Sequence, residues 1–229
     1  VKNIDEIFFE LSNNIGALMK INKEIQYIDG TKLEADAGKY TFVYKTRIIN
    51  ARKKLWQKIS DSIADINKNR GLGFKQNNKY CAQEIGYIVQ YLFEIMKKED
   101  IEPVYGRGKR KTEIQRSYDE FLKYYEKVLE YEYWLDIIDE RNSCSKTDHD
   151  ATMCATKMDY YCNTGLSRPC YNAQIAVSDG VIVNAELYQR PADSKTFIPF
   201  MERYNEYNGE YPKHPMADAG YGSFEIYMY

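Results

Sequence analysis

The feature that most constrains this chain is a long run of helical patterning, 47–142, set between stretches that read as strands. A block of that length cannot form part of a sheet, so it must be an insertion into one or a unit beside it. Breaks in the block fall at NKNRGLG (67–73) and PVYGRGKRK (103–111), both rich in the residues that end helices. Its last segment places Ile114, Tyr118, Phe121, Tyr125 and Val128 at alternating four- and three-residue steps, followed by Leu135. That is a coiled-coil-like stripe, and a pair of long helices packed on each other is the expected form.

The flanks carry a different pattern. Ile4, Ile7, Phe8, Leu11, Ile15 and Leu18 have helical spacing across 3–20. The run 25–33 then reads as a strand and 40–45 as a second, joined by a turn at 35–39, so a hairpin is expected there. Beyond the helical block, YNAQIAVS and VIVNAELYQ read as strands around Asp179-Gly180, a strong hairpin signal. A helix over 193–207 follows, with Asp193 or Ser194 as its cap and Pro199 as a local distortion. A short strand over 213–217 ends at Asp218. The expected fold class is α/β, a mixed sheet interrupted by a helical insertion. Its parts are 1–46 (helix and first hairpin), 47–142 (insertion) and 143–229 (the rest of the sheet).

Hydrophobic content of 44% and charged content of 29% fit a globular chain rather than a disordered one. No apolar run approaches the roughly 20 residues that span a bilayer, and no basic-then-apolar leader is visible at the start. Five cysteines without framework spacing suit a reducing compartment, so a cytoplasmic location without membrane association is expected. The net charge of −2 does not favour nucleic acid, which leaves that argument to local clusters. The 22 tyrosines suit amphipathic packing, with base stacking as the alternative.

Two acids stand out. Asp29 and Asp218 each lie beside a small residue at what reads as a strand end. Asp-Gly is a common turn dipeptide, and Asp-Ala-Gly can be a simple strand exit. Brought together, however, two such carboxylates can hold a divalent cation. Two basic clusters accompany them. Lys45, Arg47, Arg52, Lys53, Lys54 and Lys58 form the first, and Arg107, Lys109, Arg110, Lys111 and Arg116 the second. Either is a solvated face or a set of phosphate contacts.

Five blocks, in order, resemble the transposase DDE-domain family of bacterial insertion sequences. YIDGTKLEADAGKYTFVYK (27–45) looks like the first-acid block, and ERNSCSKTDHDAT (140–152) like the block after the helical insertion. RPCYNAQIAV (168–177) and RPADSKTFIPF (190–200) look like the following strand and helix, and MADAGYGSFEIY (216–227) like the second-acid block. The resemblance implies a ribonuclease-H-like core and metal-dependent DNA strand cleavage and transfer. It implies Asp29 and Asp218 as catalytic, metal-holding acids and Mg²⁺ or Mn²⁺ as the cofactor. DNA, as transposon ends and target, is the implied partner, along with a homodimer. Arg107, Lys109, Arg110, Lys111, Lys53 and Lys54 are the expected DNA contacts.

The chain departs from that family in two respects, one being that the family's N-terminal DNA-binding helices are mostly absent. The family's third acid is a Glu on a helix well beyond the second-acid block, and here Glu225 is the only acid after Asp218. Glu225 is expected to be an exposed helix residue, and the chain to be truncated at both ends and inactive alone. The alternative is a non-catalytic DNA-binding or self-associating remnant. Cys144, Cys154, Cys162 and Cys170 with His149 invite a zinc reading, but their spacing is too wide for paired ligands, so free thiols are expected. Asp148 and Asp150 read as a cap or turn.

Overall fold

The computed structural model describes residues 3–156 and 167–229. The chain forms two compact units, one of Val1–Phe42 with Ser143–Tyr229 and the other of Val43–Asn142. Six helices and a five-stranded mixed sheet make up a mixed α/β protein among the described residues. None of those helices is long and apolar enough to cross a membrane.

The first unit holds α1 (Ile4–Met19), β1 (Ile25–Glu34), β4 (Thr152–Cys154), β5 (Arg168–Ser178), β6 (Val181–Tyr188), α5 (Phe197–Asn208), β7 (His214–Ala217) and α6 (Phe224–Met228). The short strands β2 (Phe42–Tyr44) and β3 (Ser143–Ser145) stand where the chain leaves and re-enters this unit, and neither joins the five-stranded sheet. In that sheet β1 is central, antiparallel to β5 on one side and parallel to β7 on the other. The far edge of β5 pairs antiparallel with β6 and, at its start, with β4.

The expected hairpin between 25–33 and 40–45 is therefore not formed. β1 takes its hydrogen bonds from β5 and β7, and helix begins at Lys45 straight after β2. The hairpin at Asp179-Gly180 is formed, both residues having positive φ, 44° and 80°, as a tight two-residue turn requires.

Alternation sorts the side chains of this sheet. Ile28 and Ala176 are paired on one face and buried with Phe9 of α1 and Phe197, Phe200, Met201 and Tyr204 of α5. Each large apolar side chain buried there contributes about 1.5–3 kcal/mol. Tyr27 and Val177 are paired on the opposite face, where Tyr27 stays exposed. Pro199 lies in the first turn of α5, where a missing amide hydrogen leaves no helix bond unmade, so no distortion follows.

The second unit is three helices rather than a pair: α2 (Lys45–Arg70), α3 (Ala82–Lys98) and α4 (Glu113–Ile138). Gly71, at φ 65°, ends α2 in the left-handed region. The hydroxyl of Thr112 accepts from the amide of Gln115 and starts α4. Ile114, Phe121 and Val128 of α4, seven residues apart, are buried against Ile59, Ile63 and Ile66 of α2 and Ile85, Ile88, Leu92 and Met96 of α3. Tyr118 and Tyr125 pack at the margin of that core. The stripe read from sequence is thus the seam of a three-helix core.

Candidate active site

The parallel ladder between β1 and β7 ends with the pairs Tyr27–Met216 and Ile28–Ala217. The next residue along each is an acid: Asp218 just after β7, and Asp29, which was expected at a strand end but lies mid-way along β1, because β1 continues to Glu34 in its pairing with β5. Both carboxylates are exposed and line one open groove with Tyr27, Thr31, Ile175 and Met216. The two are bound alike by backbone. Oδ1 of Asp29 accepts from the Gly30 amide at 2.8 Å, and Oδ1 of Asp218 accepts from the Gly220 amide at 2.8 Å. The second bond caps the start of the 3₁₀ turn Ala219–Tyr221.

Directly behind this pair is a buried polar network. Gln174, fully buried on β5, pairs in register with Gly30. Its Nε2 donates to Oδ1 of Asp193 and to Oδ1 of Asn172, both at 2.9 Å. Oδ1 of Asp193 also accepts from Lys32 Nζ and from Asn172 Nδ2, each at 2.8 Å. Oε1 of Gln174 accepts from the Tyr221 hydroxyl. Burial pushes the Asp193 carboxyl up, but the bonds from Lys32 and Asn172, the Lys32 charge and the Gln174 bond outweigh it and hold Asp193 below its ordinary value. The Tyr221 phenol is pushed well above its ordinary value by burial and then by the charges of Asp193, Asp29 and Asp218. The same phenol therefore feels the half-buried Asp193 and the exposed pair.

The expectation that Asp193 acts as a helix cap is corrected by this arrangement. Its carboxylate binds Lys32, Asn172 and Gln174, while only its backbone carbonyl reaches the Thr196 amide. Gln174 and Tyr221 were not picked out by sequence reasoning, and Asp193 only as a cap. The available signal was Asn172 and Gln174, polar residues at alternate, inward positions of β5.

Glu225 lies on α6 and pairs with Lys195 at 2.8 Å; that hydrogen bond and charge hold its carboxyl below the ordinary range. Among the described residues, no three His, Cys, Asp or Glu side chains gather closely enough to hold a metal ion together. Asp29 and Asp218 are hard oxygen donors, which suits Mg²⁺ or Mn²⁺, but two carboxylates leave most positions on such an ion to water. The residues thus fit one weakly held divalent ion.

The expected DNA contacts all fall in the second unit. Lys53 and Lys54 lie exposed on α2. Arg107, Lys109 and Arg110 are exposed in the 99–112 connection between α3 and α4. Lys111 is engaged differently: its Nζ bonds Asp119 Oδ2 at 2.6 Å and stands 5.1 Å from the centre of the Tyr105 ring.

The cysteines depart from the expectation of free thiols. Cys154 of β4 and Cys170 of β5 form a disulfide, with Cα atoms 6.1 Å apart. Cys144 is buried and Cys81 exposed, and Cys162 lies outside the described residues. Asp148 serves a turn, as expected, its Oδ1 accepting from the amides of Asp150 and Ala151 and its Oδ2 from the Tyr171 hydroxyl at 2.7 Å.

No protein-family model, curated protein or solved structure matches this chain.

Proposed function

We propose that this chain is a catalytic-domain fragment of a DDE transposase, with a ribonuclease-H-like core that acts on DNA through Asp29 and Asp218. The observation that carries this reading is the placement of the acids on the strand order. Three antiparallel strands, β6, β5 and β1, are followed by a helix and by β7, which lies parallel beside β1. The acids are the residues just past the end of that parallel ladder. Both carboxylates line one open groove, where a phosphate backbone could approach them.

The roles divide by unit. In the first, Asp29 and Asp218 hold a divalent ion, with backbone amides fixing one oxygen of each. When bound, the ion neutralises charge at phosphorus and lowers the pKa of an attacking water or 3′-hydroxyl. In the second, Lys53, Lys54, Arg107, Lys109 and Arg110 position DNA through its phosphates. Transposon ends and target DNA are the proposed partners, with a homodimer as the working assembly.

A second reading, a non-catalytic DNA-binding or self-associating remnant, is favoured by one observation: no third carboxylate joins the pair among the described residues. Duplex binding in Mg²⁺ and in EDTA tests the proposal without requiring turnover. The proposal predicts tighter binding in Mg²⁺, and loss of that gain in both Asp29→Asn and Asp218→Asn. Binding indifferent to metal in all three proteins would favour the remnant.

A further inference from the structure

We propose that Tyr221 is a positioning residue for the acid pair: anchored through Gln174 to the Lys32–Asp193 ion pair, it holds the turn carrying Asp218 against the strand carrying Asp29. The inference rests on reading Asp29 and Asp218 as a metal site. It adds a residue that touches neither metal nor DNA, and a reason for the buried polar groups behind the site.

Three observations carry it. First, the network sits directly under the backbone of the first acid. A Cβ on Gly30 would lie 2.4 Å from Gln174 Nε2, 2.7 Å from Asp193 Oδ1 and 3.1 Å from the Tyr221 hydroxyl. Glycine is therefore required for β1 to approach these groups, and the peptide that follows Asp29 rests on them. Second, Tyr221 is the last residue of the turn that Asp218 opens, so its side chain ties that turn to β5. The Tyr221 ring is 3% exposed and packs edge-on against Phe197, with centroids 6.0 Å apart, so it has little freedom to swing. Third, the groups behind the hydroxyl are linked in a chain of hydrogen bonds that meets at Oδ1 of Asp193. Gln174 is oriented by Asn172 and Asp193, and Asp193 by Lys32, whose side chain is 15% exposed.

Polar groups this buried cost stability unless fully bonded. An apolar side chain at 174 would fill the same space without that cost. The network's distinguishing property is directional: it fixes where the turn opened by Asp218 stands relative to the middle of β1, where Asp29 lies. Groups that orient a ligand from behind in this way tune affinity without touching the ion.

The experiment is a Mn²⁺ titration of the full chain followed by electron paramagnetic resonance, with circular dichroism to confirm folding. The proteins compared are the parent, Asp29→Asn, Tyr221→Phe, Gln174→Met and Tyr204→Phe. Tyr204 is a second buried tyrosine of the same core, away from the network, and serves as the control for a purely structural effect. The parent is expected to bind one Mn²⁺ and Asp29→Asn to lose it. Tyr221→Phe is expected to bind about tenfold more weakly, the size usual when a group behind a metal ligand is lost. Tyr204→Phe should match the parent. If Tyr221→Phe does not fold, Gln174→Met cuts the same link from the strand side and is expected to show the same drop. Parent-like affinity in whichever of these two variants folds, with Asp29→Asn still impaired, overturns the inference and leaves the metal site standing. Absence of Mn²⁺ binding in the parent overturns both.

Discussion

Gly30 of β1 faces Gln174 of β5 across an antiparallel ladder, so closely that a methyl group on Gly30 would lie 2.4 Å from the Gln174 amide nitrogen. Gln174 cannot swing aside, because it is fully buried and bonded to Asn172, Asp193 and Tyr221. Gly30→Ala must therefore push β1 off the network or break it, at a cost of about 1–3 kcal/mol. Urea unfolding should give that loss. In a Gln174→Ala background the same change should cost less, since the nearest clash is gone and only Asp193 Oδ1, at 2.7 Å, and the Tyr221 hydroxyl, at 3.1 Å, still crowd the added methyl. Equal costs in both backgrounds would mean that Gly30 is needed for another reason.

Asp193 makes stability sensitive to acid. Its carboxyl lies below its ordinary value in the folded protein, where burial is outweighed by bonds from Lys32 and Asn172. A carboxyl depressed on folding contributes stability that is complete above about pH 4, where an unfolded aspartate is ionised. The contribution is lost as pH falls through the lower folded value. Urea midpoints between roughly pH 6 and pH 2 should fall more steeply for the parent than for Asp193→Asn, with the two curves converging in acid. Parallel curves would show that the ion pair with Lys32 contributes nothing.

What was legible in the sequence and what was not divides by range. The apolar runs before Asp29 and Asp218 were local signals and both form strands, but Asp29 proved to lie mid-way along β1, since the continuation of β1 to Glu34 is set by its distant partner β5. The Asp179-Gly180 hairpin and the helix breaks near 71 and 103–111 were local too. The partner of β1 was not. The turn residues at 35–39 suggested a neighbouring strand, yet β1 pairs with β5 and β7, each more than a hundred residues away in sequence. Asp193 was misread because an acid before a helix fits a cap equally well. Its true partners, Lys32 and Asn172, come from two other strands.

The disulfide follows the same rule. Sequence spacing says nothing of Cys154 and Cys170 lying on adjacent strands, 16 residues apart in sequence. A bridge closing a loop of that length stabilises by about 3 kcal/mol in the chain-entropy account. Cys154→Ser should lower the urea midpoint of the oxidised protein by that order, and the two proteins should converge in dithiothreitol. A difference that persists in reductant would show that packing at position 154, not the bridge, is responsible.

The basic connection before α4 should govern salt sensitivity of DNA binding. Arg107, Lys109 and Arg110 are exposed there, whereas Lys111 already pairs with Asp119. Replacing the three by Gln should weaken binding to any duplex alike. It should also reduce the slope of log K against log salt by about 0.9 per lost phosphate contact, roughly 2–3 in all. Fluorescence anisotropy across a salt series measures this. An unchanged slope would make the cluster a solvated surface.

The central claim is that Asp29 and Asp218, side by side past the end of the β1–β7 ladder, hold a divalent ion. It is tested most directly by isothermal titration of Mn²⁺ into the parent, Asp29→Asn, Asp218→Asn and Glu225→Gln. The account predicts one weak site in the parent and no saturable binding in either aspartate variant. It predicts parent-like binding in Glu225→Gln, because that carboxylate is occupied by Lys195. Mn²⁺ binding that survives both Asp29→Asn and Asp218→Asn would contradict it.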